Sequence, residues 1–97
     1  MSKKVTLTGK IVQYIWANPH VYFIFGVTDE HETAVSWSAE TYAPVKMARN
    51  GWTGTSLKPG DKVTVTVFRS RLSASRGFLE KVVFPDGKVT DLGNPTE

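Results

Sequence analysis

A proline-broken corner, Trp16-Ala17-Asn18-Pro19-His20, separates two runs of alternating apolar and polar residues. It constrains the fold more than any other stretch. Proline removes a ladder donor and pushes the residue before it towards extended geometry. Asparagine bonds its own downstream backbone and shapes the turn. The chain therefore turns between two strands here, and no helix can run through.

The flanking runs fit that reading. In the first strand, Val5 to about Trp16, Val5 and Leu7 alternate with Thr6 and Thr8, the period of a half-buried strand. Gly9 interrupts it, and the apolar set is expected to switch to Val12, Tyr14 and Trp16. A glycine at a phase change predicts a bulge or a sharp coil. The second strand, His20 to about Thr28, sets Val21, Phe23, Phe25 and Val27 on one face and Tyr22 and Ile24 on the other. Residues 29–32, which include His31, form a polar tip. A third strand, Thr33 to Glu40, completes an antiparallel hairpin with Val35, Trp37 and Ala39 inward.

One short helix is predicted over Pro44 to Asn50. Proline suits its first turn, Thr41 is a nearby cap candidate, Arg49 complements the dipole, and Gly51 takes the left-handed position after the end. So few residues cannot hold a helix alone, so packing must hold it. Leu57 to Asp61 turns into a fourth strand, Lys62 to Phe68. A polar loop, Arg69 to Gly77, leads to a fifth strand, Phe78 to Phe84. Pro85-Asp86-Gly87 is a turn, Lys88 to Leu92 a short sixth strand, and residues 1–4 and 93–97 are expected to fray.

The order β-β-β-α-β-β predicts a mainly β fold, a small OB-fold-like barrel of five to six strands with a helix between strands three and four. A β-sandwich needs more strands, and a short SH3-like barrel usually lacks this helix. The 97 residues suit one domain, burying roughly 60–70% of the unfolded surface. Cysteine is absent, which excludes disulfides and thiolate zinc sites. The net charge of +3 is too mild to mark a nucleic-acid binder unless the charges cluster. No apolar run reaches about 18 residues, so no membrane-spanning helix is expected. No signal peptide is read in the chain; Met1-Ser2-Lys3-Lys4 looks like a plain start, and a mature domain without its leader would look the same.

Four segments occur together in this order: Trp16-x-Asn18-Pro19-His20; Arg49-Asn50-Gly51-Trp52-Thr53; Ser56-Leu57-Lys58-Pro59-Gly60-Asp61; and Asp86-Gly87. In this the chain resembles domain of unknown function 6152, a family of small bacterial domains, from about Val5 to Asp91. The resemblance implies an exported, periplasmic or secreted protein, usually made with a signal peptide. It carries no established activity. Members often open with a His-His-Ser stretch before the first strand; Met1-Ser2-Lys3-Lys4 stands there in this chain, so no metal site follows from the likeness.

Each candidate residue has a functional and a structural reading. His20 is a ligand-binding imidazole or general base, or a strand-start residue bonded to the Asn18 turn. Trp37 reads as core. Trp16 and Trp52, at element ends, read equally as packing or as walls of a pocket for a flat or sugar-like ligand. Glu40 and Arg49 bracket the helix and are expected to pair across it, as a structural ion pair or a holder of a bound ligand. In an OB-fold, Arg69, Arg71 and Arg76 would contact phosphates while Tyr22 or Phe23, if outward, stacked bases; export counts against that alternative.

A non-enzymatic binding module of the envelope is thus expected, its surface built from Trp16, Asn18, His20, Glu40, Arg49 and Trp52, with a small ligand or an envelope protein as partner. No cofactor, metal or catalytic set is expected. A small enzyme pairing His20 with Glu40 would require bonding reach and an adjoining pocket.

Overall fold

The computed structural model describes residues 4–28, 34–70 and 75–92. Six strands and one helix run in the order β1 (Lys4–Ile15), β2 (Tyr22–Thr28), β3 (Ala34–Glu40), α1 (Pro44–Arg49), β4 (Lys62–Arg69), β5 (Arg76–Val83) and β6 (Val89–Asp91). The chain is mainly β, as its alternation predicts. The predicted tip at residues 29–32, Arg71 and the tail at 93–97 lie outside the described residues. Lys4 does not fray: it pairs with Phe68 at the start of β1.

The sheet order is β3-β2-β1-β4-β5-β6, with a further pairing of β3 with β5. Neighbours pair antiparallel, except that β3 meets β5 in parallel, Ser38 to Glu40 against Arg76 to Phe78. Pairing therefore runs round a closed ring of five strands, and β6 extends one side. The first strand makes this possible by serving two partners in succession. Residues 4–10 pair with β4, and residues 10–15 pair with β2.

Gly9 stands just before that change of partner. A Cβ there would run into the carbonyl oxygen of Gly26, so the two backbones meet with no room for a side chain. The expected bulge exists, between Ile11 and Gln13. Its consequence differs from the expectation. Val12 falls in the bulge and is 57% exposed, while Ile11 turns inward and is buried. An extra residue on one strand shifts the side-chain phase by one position, and here the extra residue is Val12, three positions after the glycine.

The core follows the alternation. Phe23 and Phe25 from β2, Trp37 and Ala39 from β3, and Val63, Val65 and Val67 from β4 are all buried. Each fully buried valine or phenylalanine among them contributes about 1.5–3 kcal/mol. In β5 a register shift lets both Leu79 and Val82 turn inward. The sheet's threonines pair across strands, Thr6 with Thr66 at 3.0 Å and Thr8 with Thr64 at 3.1 Å.

The helix joins the core through Met47, which is fully buried. Pro44 opens it, and Gly51, at φ 88°, takes the predicted left-handed position beyond its end. Thr41 does not cap it. The N-cap is Ala43 without a side-chain bond, because the Thr41 hydroxyl donates instead to the carbonyl oxygen of Val21 at 2.6 Å. The Thr41 backbone N–H donates to the same oxygen at 2.8 Å, which extends the β2–β3 ladder past the strand ends. Strands four and five also reach further than predicted: Arg69 pairs with Gly77, so both belong to the sheet rather than to a long loop.

Candidate functional site

The corner at residues 16–20 sends its side chains two ways. Its proline follows a cis peptide bond from Asn18, and Asn18 is exposed. Before the bend, Trp16 is half-buried and lies 6.5 Å from Tyr14, ring to ring, beside Gly54. After it, His20 faces the place where β3 and β5 meet. The expected single surface of Trp16, Asn18, His20 and Trp52 is therefore divided.

On the Trp16 side, Trp52 is buried in the core, 2% exposed, with its ring 6.3 Å from Tyr14 and 5.3 Å from Phe84. The Tyr14 hydroxyl donates to the carbonyl oxygen of Thr53 at 2.6 Å. Burial pushes the Tyr14 phenol up to about 12, against a smaller lowering by its hydrogen bond to Ser56.

On the His20 side, an ion cluster forms. His20 Nε2 is 3.2 Å from Glu40 Oε1, and Arg76 Nε donates to Glu40 Oε2. Geometry explains the meeting. Tyr22 and Glu40 are direct cross-strand partners, so the residue two positions before Tyr22 comes alongside the end of β3. Parallel pairing of β3 with β5 sets Ser38 opposite Arg76, and the guanidinium then reaches the carboxylate two residues on. His20, Tyr22, Ser38, Glu40 and Arg76 line one cleft of about 320 Å³. The side chains of His20 and Arg76 are 36% and 58% exposed, so both remain open to solvent. The His20 and Tyr22 rings lie 6.0 Å apart.

The structure revises several expected roles. Glu40 does not pair with Arg49; its carboxylate oxygens meet His20 and Arg76, while Arg49 is exposed at the helix end. Phe23 does not face outward for stacking, being fully buried. Arg69 lies in β4 with its guanidinium 5.6 Å from the Trp37 ring centroid. Tyr22 does face outward, as the alternation predicts, but into the His20 cleft. The bonding reach between His20 and Glu40 that an acid–base reading requires is present, with a cleft beside it. Among the described residues, no group of three or more metal-ligating side chains stands together, and no helix is long and apolar enough to cross a membrane.

Ser38 is the residue of this cleft that sequence reasoning missed, and Arg76 reads there only as a phosphate contact, not as a partner of Glu40. Nothing in the pattern of either segment announces that β3 and β5 lie side by side. Tyr22, by contrast, was already legible as the outward neighbour of Phe23.

A small mainly β chain, with a mixed-charge cleft at the seam of its sheet, is the class of protein that this fold and site define. The model of the Family of unknown function (DUF6152) matches residues 1–80, and the chain belongs to that family. The match stops before Asp86-Gly87, the last of the four segments on which the resemblance was drawn. No curated protein matches the chain.

Proposed function

We propose that this protein is a non-enzymatic binding module of the bacterial cell envelope, built as an OB-type barrel, whose ligand sits in the cleft at His20, Glu40 and Arg76. The closed ring of five strands, with the helix between β3 and β4, supports the barrel. The family's exported character, as implied by the resemblance, supports the compartment.

One observation carries the binding site. Three segments far apart in sequence bring an imidazole and a guanidinium onto a single carboxylate beside an open cleft. Glu40 holds the imidazole and the guanidinium in place, and more than half of the Arg76 side chain stays exposed. A carboxylate-bearing ligand fits that arrangement, since guanidinium groups recognise carboxylates through paired donors. The same chemistry serves a free small acid or an acidic side chain of an envelope protein.

The test is a titration of the isotopically labelled protein with acetate and succinate, followed by amide shifts. Saturable shifts centred on residues 20–22, 38–40 and 76, lost in Arg76→Ala, are expected. His20→Ala and Asn18→Ala should fold with little change in melting temperature. Large destabilisation in both variants would make the corner architectural and overturn the reading. Single-stranded nucleic acid draws less support, because Phe23 is core and cannot stack a base. A labelled oligonucleotide at two salt concentrations tests it, salt-sensitive binding being the mark of phosphate contacts.

A further inference from the structure

A second cleft, of about 560 Å³, shares no lining residue with the first. Its volume lies within the range of small-molecule sites. Three segments build it: the helix exit at 51–52, the turn at 56–61 that leads into β4, and the β5–β6 connection at 84–90. Two of the segments singled out in the sequence, Gly51-Trp52 and Ser56 to Asp61, thus meet a third, Asp86, at one place that the His20 cleft does not use.

The wall is apolar and aromatic. Trp52 is buried behind it and packs against Phe84, which is half-buried, and Pro85 is exposed beside them. The rim carries an aspartate and a lysine in each of two turns. Asp61 Oδ2 accepts from the Lys58 backbone N–H at 3.0 Å, and Asp86 Oδ1 accepts from the Lys88 backbone N–H at 3.0 Å. Each aspartate shapes its own turn, and each turn carries a lysine to the cleft.

This charge pattern narrows the ligand. Two carboxylates and two ammonium groups balance, so a net ionic ligand gains nothing from their sum. A purely apolar ligand would desolvate the rim without offering it hydrogen bonds. A neutral ring with one C–H face and many hydroxyls meets both demands: apolar contact with Phe84 and Pro85, and donors and acceptors for the lysines and aspartates. Trp52 adds a further observation, because its indole Nε1 is buried with no acceptor among the described residues. Buried polar groups are normally bonded, and Trp52 lines the cleft, so a small shift of the ring on binding would offer this donor to a ligand oxygen.

We propose that this cleft is a saccharide-binding site. The occupant is either a free sugar or one unit of a glycan chain, and the experiment separates them. The labelled full chain is titrated with cellobiose and N,N′-diacetylchitobiose to tens of millimolar, and is also co-sedimented with insoluble cellulose and chitin. Saturable amide shifts confined to residues 51–61 and 84–90 are expected with at least one disaccharide. Co-sedimentation without response to either disaccharide would assign the glycan chain. In both cases Lys58→Ala and Lys88→Ala, exposed positions, should each weaken binding about fivefold, the loss of one hydrogen bond, with unchanged melting temperature. No saturable shift together with no co-sedimentation would overturn the proposal. So would shifts centred on residues 20–22 and 38–40, or binding unaffected in both lysine variants. The carboxylate titration reads different residues, so either proposal can fail alone.

Discussion

Gly9 shows how a single missing methyl group can decide a fold. A side chain there would meet the backbone of Gly26, and backbone cannot swing aside as a flexible side chain can. Gly9→Ala is therefore expected to cost about 1–3 kcal/mol, the range for overpacking a close contact, read as a lower urea midpoint. Tyr14 gives a second residue-scale prediction, this time in pH. Burial holds its phenol at about 12, above the ordinary value of 10.0. Below the ordinary value the phenol is neutral both folded and unfolded, and its contribution is intact. Between the two values the unfolded chain loses the proton and the folded chain keeps it, so stability falls as pH rises. Thermal melts across that alkaline window should show the decline in the native protein. They should show less of it in Tyr14→Phe, which has no proton to lose.

At the scale of elements, the junction of β3 with β5 is the place where packing and chemistry coincide. The Glu40–Arg76 pair lies across it, with Arg76 more than half exposed. Exposed pairs of this kind are worth little, so a double-mutant cycle with Glu40→Gln and Arg76→Gln should give a coupling of about 0.2–1 kcal/mol. The coupling should shrink as salt is raised, because screening acts on solvent-exposed charges. A coupling well above that range, insensitive to salt, would show a pair shielded from solvent and holding the ring together. The helix offers a contrast. Its one fully buried residue, Met47, anchors it to the core, and Gly51 ends it in the left-handed conformation; no ion pair between Glu40 and Arg49 is needed to place it.

For the whole molecule, the ring is joined unevenly. The ladder between β2 and β3 runs from Tyr22 to Thr28, and that between β1 and β4 from Lys4 to Lys10, whereas β3 meets β5 only from Ser38 to Glu40. Local opening follows the fewest contacts. Amide hydrogen exchange should therefore be faster at the β3–β5 seam than in the middle of the β1–β4 ladder. Equal protection at both would mean that the ring opens only as one unit. A seam that opens first lies beside the His20 cleft, where a bound carboxylate should slow its exchange.

What the sequence determined was local. Alternation set the faces of β2, β3 and β4, so that Phe25, Trp37 and Val65 could be read as interior, because side-chain direction in a strand repeats every second residue. Proline and glycine marked the corner at 18–19, the helix start at Pro44 and its end at Gly51, because each restricts or frees its own backbone angles. Tertiary structure decided which segments became neighbours. Parallel contact between β3 and β5 gave Glu40 to Arg76 rather than Arg49, and the bulge at Val12 exposed a residue that alternation had placed inside. The two clefts were hidden for the same reason: each joins segments far apart in the chain, and only the folded sheet sets them side by side.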